Sequence, residues 1–157
     1  EQEVLPLAGQ SYLIGSGLHL PQGMLGNYAD SHYSRDILRF CADLVDVGVL
    51  SNAQVFHFLS QPLLIPSPSC GSFPLRSFLR IIETLETAAQ CFFKHGYKPY
   101  DDPHQGRVCG ALIERLNSYL LIEQLVKEDR NLNQVMGSTT MVSDTIAVPR
   151  GVMEKIL

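Results

Sequence analysis

Charge is what this chain has least of. Only 18% of its 157 residues are Asp, Glu, Lys or Arg, against roughly 25% in an average soluble domain. The balance is −4 at pH 7, whereas phosphate backbones are held by many Lys and Arg side chains. Lys94, Lys98 and Arg107, with His95 and His104 between them, form the nearest thing to a basic cluster. That group reads as cations suited to the end of a helix, so no nucleic acid partner is expected. No apolar run reaches the ~20 residues of a membrane span, because Arg76, Arg80, Glu83 and Glu86 interrupt the first long one. No membrane association is expected either. A signal-peptide pattern and an Asn-x-Ser/Thr acceptor are both missing, and Cys41, Cys70, Cys91 and Cys109 lack disulfide-style spacing. These absences favour an intracellular protein, nuclear or cytoplasmic. Beginning at Glu1 and ending on Ile156-Leu157, the chain reads as a fragment of a longer protein.

Signatures of chemistry are equally sparse. Gly15-Ser16-Gly17 lacks the third glycine of a dinucleotide loop, and no serine sits in a Gly-x-Ser-x-Gly elbow. There is no repeat of fixed period. Asp101-Asp102 falls in a turn, and Asp43 and Asp46 fall on the polar side of a helix. Both pairs read as solvated, and a solvated carboxylate is not tuned as an acid. No cofactor is expected.

What the chain does have is greasy helix. Hydrophobic residues make up 45% of it, enough for one domain with a real core. Residues 1–30 hold five glycines and two prolines among frequent leucines. They read as an extended arm without helix, with one short strand over 11–14, packed on a body spanning 31–157. A first helix is expected over 33–47, capped by Asp30 or Ser31 and ended by Gly48. A second begins at Ser51, where Ser51-Asn52-Ala53-Gln54 is a capping box with Leu50 and Val55 as its staple, and stops before Pro62. After a Pro/Ser-rich loop, two long runs over 73–95 and 106–128 form an antiparallel hairpin. Ser72 caps the first of these, with Leu75, Phe78, Leu79, Ile82, Leu85, Ala89 and Phe92 as its core stripe. The second is apolar over most of its circumference and therefore central, with a polar stripe of Glu114, Asn117, Ser118, Gln124 and Glu128. Residues 136–148 are ambiguous, and Pro149 opens a last short helix. The expected fold is all-α: an irregular bundle of five or six helices around a central antiparallel hairpin.

Two constellations remain. Leu121 and Leu125 fall inside the polar stripe of the last long helix, while Glu123 faces its apolar side. Phe56 and Phe58 point in different directions, so both cannot enter one core. Apolar surface of this kind on a weakly charged protein marks an interface. The expected function is thus a non-catalytic interaction or assembly domain of a larger protein. It would bind a partner helix or a second copy through Leu121, Leu125 and Phe58, and Leu121→Asp would weaken association while leaving the monomer folded. The alternative is a zinc-stabilised regulatory domain, because Cys91, His95, His104 and Cys109 form a Cys₂His₂ set across the hairpin. A Cys/His-dependent enzyme built on Cys91 and His95 is a third reading, although a helix C-terminus disfavours a thiolate.

Overall fold

The computed structural model describes residues 12–66, 68, 71–95, 97, 100–103, 105–131 and 135. Among them the protein is predominantly helical. Its helices are α1 (Gly23–Ala29), α2 (Ser34–Asp46), α3 (Asn52–Ser60), α4 (Leu75–Lys94) and α5 (Val108–Lys127). Four two-residue strands join them: β1 (Leu13–Ile14), β2 (Leu18–His19), β3 (Leu63–Leu64) and β4 (Gly71–Ser72). None of the helices is long and apolar enough to cross a membrane. The segments expected at 136–148 and after Pro149 lie outside the described residues.

The α3 capping box forms as expected. Gln54 N–H donates to Ser51 Oγ at 3.3 Å, and the Ser51 N–H donates to Gln54 Oε1 at 3.0 Å. Leu50 and Val55 both join the core cluster. Helix α2 occupies nearly its expected span, and Gly48 ends it at φ +72°. Its N-cap, however, is Tyr33 with no side-chain cap.

The N-terminal segment departs from expectation. Residues 13–14 do form a strand, but 23–29 form a helix where glycine and proline content argued against one. Seven residues are too few to be helical by propensity alone. Met24 and Tyr28 are sealed in the interior, and α1 packs against α2 and α3, which supplies the missing stabilisation. The segment is also stitched down by two antiparallel pairings. Leu13 and Ile14 face Ser72 and Gly71, and Leu18 and His19 face Leu64 and Leu63. The 61–72 loop therefore gives its backbone to these pairings, and Ser72 lies in a strand instead of capping α4, whose N-cap is Pro74.

Helices α4 and α5 pack together and run antiparallel. Arg80, early in α4, donates to Gln124, late in α5. The buried face of α4 is rotated from the expected stripe. It follows Ser77, Ile81, Leu85, Ala88, Cys91 and Phe92, while Leu75 and Leu79 are exposed. Helix α5 buries ten of its residues, and its supposed polar stripe is largely covered. Asn117 and Ser118 are buried, and Ser118 Oγ accepts the Ile65 N–H at 2.8 Å. The loop strand β3 lies over this side of α5. A buried backbone N–H needs a partner, so a serine belongs where a wet surface was expected. Glu123, expected on the apolar side, faces solvent.

Two glycines carry a measurable consequence. Gly23 and Gly48 both hold positive φ, at +69° and +72°. A Cβ on Gly48 would meet nothing within 4 Å, whereas one on Gly23 would lie 2.9 Å from the Leu59 carbonyl oxygen. Gly48→Ala should cost about 1–2 kcal/mol from the left-handed conformation alone. Gly23→Ala adds a backbone clash, bringing its cost to about 2–5 kcal/mol. Urea denaturation of the two variants side by side checks the order.

Candidate functional site

The apolar residues expected to form a docking surface are core. Phe58 and Leu125 are 0% exposed and Leu121 is 1% exposed. The α5 side that carries Leu121 and Leu125 is covered from within the chain, and Phe58 packs edge-on against Tyr119 with ring centroids 5.5 Å apart. Folding has already used the area on which association was to run, so these three residues are not an interface. Of the two phenylalanines on α3, Phe56 is the one left outside, 71% exposed.

Of the expected zinc set, the described residues bring Cys91 and His95 together but do not add Cys109 to them. Cys91 and His95 do meet, with Sγ 3.7 Å from Nδ1. His104 lies outside the described residues. Cys109, in the first turn of α5, is half-buried against the core, and burial raises its thiol pKa. The third member of the cluster is instead Asp43 of α2, whose Oδ1 lies 2.7 Å from His95 Nδ1. Asp43 was expected to be solvated, but α4 packs over it and leaves it 7% exposed; Asp46, one turn on, remains exposed. Asp43 Oδ2 is buried without a hydrogen-bond partner.

Each side chain is placed by its element. Spacing of i, i+4 stacks Cys91 and His95 on one face of α4, and His95 is the C-cap, half in the helix and half out. Arg39 of α2 donates to the His95 carbonyl, which ties that end of α4 to α2. Sulfur, imidazole nitrogen and carboxylate oxygen all lie within 4.8 Å of one another.

The arrangement does not suit a thiol nucleophile. In a relay, thiol and carboxylate engage opposite ring nitrogens; here both approach Nδ1. Burial, and then the negative charge of Asp43, push the Cys91 pKa up, and only the thiolate attacks. Cys41 is more inert still, its pKa pushed up to about 12 by burial.

A second feature is a groove of about 870 Å³ between α4 and α5. Ile82, Leu85 and Ala89 form one wall, and Gly110, Ala111 and Ile113 form much of the other. Ile82 and Ala89 stand on the flank left over by the rotation of α4. A much smaller, more enclosed hollow shares Pro68, Ile82 and Asn117 with the groove and reaches Phe78. Arg115 also borders it, although the side chain is almost entirely buried. Its Nη2 donates to Asn27 Oδ1 at 2.7 Å and its Nη1 to the Ala111 carbonyl at 3.1 Å. The guanidinium lies over the Tyr28 ring at 5.2 Å, and Nε has no partner. Burial lowers its pKa, with Glu114 acting in the opposite direction.

Set beside known proteins, the chain matches no family model, no curated protein and no solved structure.

Proposed function

We propose that this is a non-catalytic protein-interaction domain that receives an amphipathic helix of a partner protein in the α4/α5 groove. The observation that carries the reading is the groove itself, whose described lining combines aliphatic side chains of α4 and α5 with the polar groups of Glu86, Arg107 and Glu114, a mixture that suits an amphipathic helix. A helix that lays its apolar face into such a groove is a recurring recognition mode. From Arg107 to Asn117 the α5 wall spans roughly 15 Å, the length of about three turns of a partner helix. Gly110 and Ala111 give close approach on that wall, and Ile82 and Ile113 give aliphatic contact. The low charge of the chain and its −4 balance fit an apolar protein partner better than a polyanion.

Gly110 supplies the test. A Cβ there meets nothing within 4 Å, and its φ is not in the positive range. Gly110→Leu therefore fills the groove, and it should leave stability unchanged or raise it by up to about 1 kcal/mol, because glycine is a poor helix former. Helical peptides selected from a displayed library against the wild-type chain should carry apolar residues at i, i+3, i+4 and i+7. They should bind Gly110→Leu at least tenfold more weakly. Equal binding to both forms would overturn the groove as the docking site. Sedimentation of the chain alone gives the other decision: a dimer that Gly110→Leu disperses would make the occupant a second copy and overturn the partner-helix reading.

A further inference from the structure

The Asp43, Cys91 and His95 side chains form a cluster that the groove does not use. A surface ion pair of aspartate and histidine is ordinary, but this one differs in two respects. Three chemically different donor atoms lie within 4.8 Å of one another, and a carboxylate oxygen is sealed in without a partner. A buried carboxylate oxygen normally has a hydrogen bond or a cation. We infer that Asp43, Cys91 and His95 are a binding site for a divalent cation of the zinc class, with an open fourth position on the exposed His95 side.

The donor set selects the ion. One thiolate, one imidazole and one carboxylate suit zinc, whereas calcium and magnesium take oxygen ligands. Tetrahedral zinc places sulfur and nitrogen ligands roughly 3.5 Å apart, and Cys91 Sγ and His95 Nδ1 are separated by 3.7 Å. His95 and Asp43, now hydrogen-bonded at 2.7 Å, must part by about half an ångström to become co-ligands. The ring that has to move is the one in contact with solvent.

Charge balances as well. Binding takes the proton from Cys91 to solvent and moves the imidazole proton to Nε2, which leaves Nδ1 free to ligate. Two anions and a neutral imidazole then neutralise a divalent cation, so no net charge is buried. Asp43 Oδ2 can share the metal or its water. Three protein ligands and one open position are the pattern of sites that keep an exchangeable ligand, whereas closed structural sites use four. The site also joins α2 to the end of α4, so occupancy ties those two helices together.

Cobalt(II), which substitutes for zinc and reports thiolate coordination by a charge-transfer absorption, is the probe. The reduced full chain should take up about one cobalt per molecule, show that absorption, and lose it on addition of zinc. Cys91→Ser should abolish the band. Asp43→Asn and His95→Gln should each weaken zinc binding at least tenfold, and Cys109→Ser should change nothing. His95 is the most exposed of the three, so His95→Gln decides the matter if Asp43→Asn fails to fold. Absence of the band in the wild type, or its survival in Cys91→Ser, would overturn the proposal. Loss of the band in Cys109→Ser would do the same, because the metal would then sit across the α4/α5 hairpin. None of these results depends on groove binding, which Gly110→Leu tests separately.

Discussion

Leu121→Asp is expected to unfold the domain, leaving little helical far-UV signal in place of a folded monomer deprived of a partner. Leu121 belongs to the core cluster on the covered side of α5. Replacement removes the burial of a large aliphatic side chain, worth about 2–5 kcal/mol. It also forces a carboxylate into a site with no partner, and the effective penalty for such an ion is several kcal/mol more. Domains of this size have about 5–15 kcal/mol of net stability, so the two losses together exhaust most or all of it. Circular dichroism with size-exclusion chromatography reads the outcome. Native helicity with a melting temperature near that of the wild type would place Leu121 on the surface.

Phe58→Ala carries the second large effect, about 3–5 kcal/mol. Phe58 is the one residue of α3 that is buried outright, and its ring meets Tyr119 of α5 edge-on at 5.5 Å. Nine residues do not hold a helix in water without packing, so the substitution removes the one fully buried anchor of α3 and opens a cavity beside α5. The Tyr119 hydroxyl, which has no hydrogen-bond partner, sits in the same region, its pKa pushed up to about 12 chiefly by burial. Phe56→Ala is the control. That side chain is exposed, and its truncation should stay within about 0.5 kcal/mol of wild type. Chemical denaturation of the pair separates the two phenylalanines, whose direction the sequence left open.

What was legible in the chain is what local physics decides. The Ser51 capping box and the αL end of α2 at Gly48 both depend on residues within a few positions of one another. What was not legible depends on elements far apart. Helix α1 exists because α2 and α3 cover Met24 and Tyr28, which outweighs its glycines. The stripe of α5 that carries Asn117 and Ser118 looked wet because its polar groups gave no sign of a backbone N–H, that of Ile65, waiting 53 residues away. That same coverage turned Leu121 and Leu125 from candidate surface into core. On α4 the apolar residues exceed what one face can bury, so periodicity alone admitted two stripes about one residue apart. The rotation that prevailed moved Cys91 inward and left Ile82 and Ala89 on the groove.

The metal cluster follows the same division. Its i, i+4 half, Cys91 and His95, is a local pattern. Asp43 is 52 residues from His95, and only the packing of α2 on α4 removes it from water. Sequence offered Cys109 and His104 as the remaining ligands because a hairpin brings helix ends together. A carboxylate on a neighbouring helix left no trace in the spacing.

Hydrogen exchange through α5 tests most directly the claim on which all of this rests, that this helix is enclosed within one chain on the side of Leu121 and Leu125. Amides over 116–125 should be the slowest in the protein and should open only with global unfolding, at the free energy that denaturant gives for the whole domain. Exchange there through a cheaper local opening, as fast as at the ends of α1 or α2, would show α5 to be peripheral and return its leucines to the surface.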